Sequence, residues 1–199
     1  MSPRRDPYFG RFVLTIATIG LVVVVLGLGF IWYYFQSGTA TSATNPLKNL
    51  FSQRSSLPPN QAMLYYTKDG QQLVGAVADL GRAGASASDR ASVILEKLLA
   101  GKDSAFLRSP IPSGTRLVSV FVDKDLVIVN LSKEFMTNLK GGVDEELLAV
   151  YSIVNSLLYN IESVNQVQLL IDGETVPTLR GNIDLESPLI ANSAITRSS

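Results

Sequence analysis

Three acids are the first candidates for chemistry. Glu134 follows a run of apolar residues, and Glu145 and Glu146 open a second apolar stretch shortly after it. A glycosidase needs two carboxyls about 5 to 9 Å apart across a cleft, and Glu134 with Glu145 or Glu146 could supply that pair. The plainer reading makes Glu145 and Glu146 first-turn helix acids, favoured there by the helix dipole, and Glu134 a solvated loop charge. Asp123 and Asp125 flank Lys124, which reads as a hairpin turn before it reads as a metal site. Asp172-Gly173 is likewise a turn first. Gly101-Lys102 lacks the upstream glycine and the following Ser/Thr of a phosphate loop.

The remaining inventory narrows the choice. The chain of 199 residues has no cysteine and no histidine. That removes disulfides, thiolate nucleophiles, Cys/His zinc sites, a histidine base and the Ser-His-Asp triad. A formal net charge of zero argues against nucleic acid, which asks for a basic face. The single tryptophan, Trp32, lies in an apolar N-terminal run, so a sugar platform would have to come from Tyr65, Tyr66, Tyr151 and Tyr159. The sequence therefore assigns no catalytic, cofactor-binding or metal residue.

The elements that would position these acids begin near Ala62. Met63–Thr67 and Gln72–Ala78 flank Lys68-Asp69-Gly70. Arg116–Val122 and Leu126–Leu131 flank Asp123-Lys124-Asp125. Val167–Ile171 precedes Asp172-Gly173-Glu174 and a short run to Leu179. Each reads as a β-hairpin, because such turns favour left-handed dihedrals. Ser88–Ala100 carries Ala91, Ile94, Leu95, Leu98 and Leu99 at helical spacing, with Ser88 as start cap and Gly101 as stop. Asp144–Asn160 places Leu147, Val150, Tyr151, Val154, Leu157, Leu158 and Ile161 on a wide apolar face. The expected order is ββα-ββα-ββ. The expected fold is α/β (α+β): one compact domain with a mixed or mostly antiparallel sheet and two packed helices.

N-terminal to that domain, Phe12 to Phe35 is free of charge. Its first 20 residues cover about 30 Å as a helix, the thickness of a hydrocarbon core. Trp32, Tyr33 and Tyr34 fall at headgroup depth. Arg4, Arg5 and Arg11 precede the span, so residues 1–11 are expected in the cytoplasm and everything after Gln36 outside. A cleaved signal peptide is the rival, with Ala40 and Ala43 as cleavage positions, although its apolar region is normally shorter. Residues 36–61 read as a flexible linker, with Leu47, Leu50 and Phe51 as an apolar island. Residues 62–192 form the domain and 193–199 a tail.

The stretch from Gly114 to Phe135, then Gly141-Gly142, Glu145–Leu158 and Val164–Leu189, resembles the GerMN domain of bacterial sporulation and spore germination proteins. The most specific pieces are Asn130–Phe135, Tyr151–Leu157 and Leu170–Glu174, and the resemblance runs from about Leu64 to Leu189. It implies a bacterial, extracytoplasmic, non-catalytic module held at a membrane. Members of that family are often lipid-anchored through a cysteine, which this chain lacks. In the near-terminal Gly-X-Ile-Asp element, histidine often stands where this chain has Asn182. The expected role is binding or assembly in the cell envelope. The expected partners are the bilayer, through Phe12–Phe35, and an envelope protein or a second copy. The alternative is an enzyme or ligand-binding domain acting on cell-wall material through carboxylates.

Overall fold

The structure is a computed structural model and describes residues 57–101 and 106–197. The expected cytoplasmic segment, the span Phe12–Phe35 and the linker as far as Ser56 lie outside the described residues. Among the described residues no helix is long and apolar enough to cross a membrane.

The chain forms β1 (Gln61–Thr67), β2 (Leu73–Asp79), α1 (Ala87–Leu99), β3 (Leu117–Asp123), β4 (Leu126–Leu131), a one-turn α2 (Glu134–Thr137), α3 (Val143–Asn160), β5 (Gln166–Ile171) and β6 (Thr196–Arg197). The fold is mixed α+β. Its strands make two three-stranded sheets, β1-β2-β6 and β3-β4-β5. The first two expected hairpins are present. β1 pairs antiparallel with β2 and β3 with β4. Lys124, at φ 54, and Gly70, at φ 78, take the left-handed backbone their turns require.

The third expected hairpin is not there. Asp172 and Gly173 do turn the chain, at φ 48 and 90, but pairing stops at a single bridge between Ile171 and Glu174. Pro177 lies three residues on and has no N–H to give a ladder. β5 instead pairs parallel with β4 along its whole length, and β6 pairs parallel with β2, so each sheet is mixed. The first helix also starts differently. Ser86, not Ser88, is its N-cap and accepts from Asp89 N–H at 3.1 Å. Ser88 turns to the sheet and accepts from Val122 N–H at 3.0 Å.

α3 is the centre of the domain. A helix with one apolar face was expected. From Leu148 to Leu158, α3 is instead buried at every position but Tyr151, because β1, β5 and α1 all pack on it. Its polar residues are therefore inside as well, and they have partners. Ser152, Ser156 and Asn160 recur at intervals of four and share one face. That face runs along the edge of β1. Ser152 Oγ donates to Tyr65 O at 2.6 Å, and Tyr65 N–H donates to Ser156 Oγ at 3.0 Å. Met63 N–H donates to Asn160 Oδ1 at 2.9 Å, and Asn160 Nδ2 donates to Met63 O at 2.7 Å. The helix thus supplies what a neighbouring strand would. Asn155 does the same for the C-terminal segment, donating to Asn192 O at 2.8 Å and accepting from Asn192 N–H at 3.0 Å.

Arg90 of α1 closes the C-terminal end of α3. Its guanidinium donates to Asn160 O, Pro59 O, Ala83 O and Gln61 O at 2.6 to 3.1 Å. One side chain thereby holds the end of α3, the entry to β1 and the loop before α1.

Two substitutions in α3 test these two kinds of burial by urea unfolding. Leu157→Ala removes a fully buried side chain and is expected to cost about 2–5 kcal/mol. Asn160→Ala strands Met63 N–H and C=O and is expected to cost about 1–3 kcal/mol. A loss below about 0.5 kcal/mol for Asn160→Ala would show that water serves the β1 edge as well as the helix does.

Candidate functional site

The three candidate acids are each tied to a structural partner. Glu134 begins α2 at the end of β4, and its Oε2 lies 3.3 Å from Arg116 Nη2. A hydrogen bond from the Ser132 hydroxyl, aided by its own backbone and by Arg116, holds its carboxyl below the usual range. The expected solvated loop charge is thus an ion-paired residue at a helix start. Glu145 reaches back to the start of α3 and accepts from Gly142 N–H at 2.9 Å. That bond also lowers its pKa, so the expected first-turn role holds for Glu145. Gly141 makes room for it. At φ +107, a Cβ there would collide with the Glu145 carboxyl.

Glu146 departs from expectation. It is fully buried, and its carboxylate is the receptor for the loop after β5. Oε1 accepts from Leu179 N–H at 3.0 Å and Arg180 N–H at 3.1 Å. Oε2 accepts from Asn182 N–H at 3.1 Å and Asn182 Nδ2 at 2.6 Å. Burial pushes its pKa up, but the bonds from the Asn182 side chain and the three amides outweigh burial and leave it lowered. Here the segment that was expected to close the third hairpin finds its hydrogen bonds. The signal for this pairing was weak in the sequence, because an acid in a first helical turn reads as a cap whichever way it points.

Two grooves are formed among the described residues, and the three acids line neither. A groove of about 390 Å³ lies between Leu147 and Tyr151 of α3 and the segment from Asn182 to Ile190. Another, of about 500 Å³, lies between Ser88, Asp89, Ser92 and Glu96 of α1 and Leu117–Val120 of β3. Neither is lined by Glu134, Glu145 or Glu146. The acids in the second groove, Asp89 and Glu96, both pair with Arg82, at 3.1 and 3.6 Å.

The tyrosines make no platform. Tyr66 is buried, and its burial pushes its pKa up to about 12. Tyr65 meets Tyr159 edge to face, with centroids 6.2 Å apart. Burial, with Tyr159 beside it, takes its pKa to about 12. Tyr151 is half-buried at the first groove. Asp123 and Asp125 belong to the β3–β4 turn. Among the described residues no cluster of three or more acids could hold a metal.

Glu146→Gln is expected to cost about 2–3 kcal/mol, since an amide NH2 would face N–H donors. Trypsin should then cut after Arg180 faster than in the parent. The pH profile follows from the signs. Glu134, Glu145, Glu146, Asp69 and Asp89 all have lowered pKa values. Their contributions are fully present above the unfolded carboxyl pKa of about 4 and are lost as pH falls through the folded values. With no histidine, stability should stay flat from about pH 8 to pH 6 and fall in acid. The fall should be shallower in Glu146→Gln. A thermal midpoint that drops between pH 8 and 6 would contradict this account.

Two solved GerMN structures share this fold. The first GerMN domain of the sporulation protein GerM from Bacillus subtilis superposes with a TM-score of 0.53 at 20% identity, covering 67% of this chain and 98% of that one. The tandem GerMN domains of the same protein superpose with a TM-score of 0.51 at 18% identity, covering 65% of this chain and 45% of that one. A putative lipoprotein from Clostridium perfringens is 26% identical with a TM-score of 0.47, covering 65% of this chain and 86% of that one. A search of curated proteins gives no match. Residues 63–177 match the family described as Germane, sporulation and spore germination. That match takes in both hairpins, both long helices and β5, and on it the chain belongs to the Germane (GerMN) family.

Proposed function

We propose that this protein is a membrane-anchored, non-catalytic binding or assembly module of the bacterial cell envelope. The observation that carries the reading is the use of the acids. Glu134 is consumed by Arg116, Glu145 by the start of α3 and Glu146 by the loop from Leu179 to Asn182. All three have lowered pKa values, whereas a general acid needs a raised one. The family's association with sporulation and germination supports an envelope role. The charge-free run Phe12–Phe35, with its arginine-rich leading flank, supports a single span with the domain outside. Anchoring raises the effective concentration for a membrane-bound partner, so each contact can be weak.

Complementation of a deletion strain tests this, with protein levels matched by immunoblot. The Glu134→Gln, Glu145→Gln double variant is expected to complement fully. Replacing the Phe12–Phe35 span by a cleavable signal is expected to export the folded domain and impair function. A dead double variant beside a fully active released domain would instead favour an enzyme working through carboxylates on cell-wall material.

A further inference from the structure

The groove between α1 and β3 has three properties of a cleft that takes up a peptide chain. Its floor is a strand edge. Val122 N–H points away from β4, because it donates to Ser88 Oγ at 3.0 Å, and Val120, two residues back, faces the same way. Ser88 closes the edge at Val122 and leaves the backbone of Val120 presented to the groove. That floor is also apolar, with Leu117 and Val120 half-buried and Val118 55% exposed. The helical wall, finally, is acidic. Asp89 and Glu96 reach the same guanidinium, that of Arg82, at 3.1 and 3.6 Å. Two carboxylates therefore share one cation, and one negative charge is left over.

A segment of matching character joins the domain close by. Residues 50–56, which lie outside the described residues, read Leu-Phe-Ser-Gln-Arg-Ser-Ser and carry Arg54 and no acid. They run into Leu57, and Pro59 O accepts from Arg90 Nη1 at 2.6 Å. Arg90 follows Asp89 in the first turns of α1, so the chain enters within a side chain's length of the helix that walls the groove. The stretch from Phe51 to Pro59 reaches at most about 28 Å. Rounding a helix about 10 Å across and following it from Ser88 to Glu96, about 12 Å, takes less than that. The other groove, at Leu147 and Tyr151, lies toward the far end of α3 from this entrance, and Asp184 is the one acid that lines it.

We propose that Leu50–Ser56 of the same chain docks in the groove between α1 and β3. Leu50 and Phe51 cover Leu117 and Val118, Arg54 joins Asp89 and Glu96 as their second cation, and the backbone between them meets Val120 as an added strand does. The entrance sets the direction: Arg54, nearer Leu57, takes the Asp89 end, and Phe51 lies over Val118. Seven residues fall well short of the ~1,200 Å² that a stable free complex buries. A segment already tied to the domain needs no such area, because its effective concentration is in the millimolar range. That favours this chain's own segment over a foreign peptide of the same length. The last seven residues of the expected linker thereby become part of the domain, and the tether shortens to residues 36–49. The contact requires neither a partner protein nor the assembly reading above.

The absence of cysteine makes the test direct, in the full chain held in detergent. Val118→Cys is expected to react with a maleimide several-fold more slowly than it does beside Leu50→Ser and Phe51→Ser. Phe121→Cys, at a position 62% exposed and outside the groove, should react equally in both backgrounds. Arg54→Glu should speed the labelling of Val118→Cys. Adding Glu96→Lys to Arg54→Glu should slow it again, a rescue that a merely misfolded variant could not show. Phe51→Cys with Val118→Cys, oxidised mildly, should close a disulfide within one chain. The proposal is overturned if Val118→Cys labels at one rate in all these backgrounds, if the charge reversal brings no rescue, or if the Phe51→Cys, Val118→Cys pair links two chains instead of one. Labelling reads docking alone, so its outcome is separate from that of the complementation experiment.

Discussion

A buried N–H or C=O must have a partner, and in this protein the edge of β1, Asn192 and the loop at Leu179–Asn182 find theirs on side chains of α3. The strands are short and the segment after β5 is irregular, so ladders alone could not satisfy them. Ser152, Ser156 and Asn160 serve β1, Asn155 serves Asn192, and Glu146 serves the loop at Leu179–Asn182. The helix is a scaffold of hydrogen-bond donors and acceptors as much as an apolar core. That is why Glu146, Ser152, Asn155 and Ser156 are as buried as its leucines. The same arrangement accounts for the acids: a carboxylate in such a fold is a building part before it is a reagent.

Much of the fold was readable from local rules. Lys68-Asp69-Gly70 and Asp123-Lys124-Asp125 marked real hairpins, because turn dihedrals are a local property. The apolar stripes of α1 and α3 were in place, because helical period is set by the backbone. What could not be read was non-local. Ser86 and Ser88 are both fit caps, and only the position of Val122 decides which one turns to the sheet. Asp172-Gly173 announced a turn, but the fate of the chain after it depended on Glu146, more than twenty-five residues upstream. The polar residues of Tyr151–Leu157 were visible as a motif, yet their purpose needed β1 beside them.

Of the candidate site, the residue types were legible and the partnerships were not. Glu145 behaves as its position in the first turn suggests. Glu134 found Arg116 because the β3–β4 hairpin brings their ends together, a meeting that strand pairing fixes and spacing alone does not. Glu146 was hidden by its setting, since nothing in a first helical turn tells an inward acid from an outward one.

Arg90 gives the fold a mechanical character. The chain enters the described domain through Pro59 and Gln61, and both carbonyls are held by this one guanidinium, which also holds Asn160 at the end of α3 and Ala83 before α1. Tension applied upstream would therefore not peel β1 away residue by residue. It would arrive first at a junction of several charge-assisted bonds loaded together, and from there pass into the central helix. A domain built this way transmits a pull at its entrance to its core as a single body.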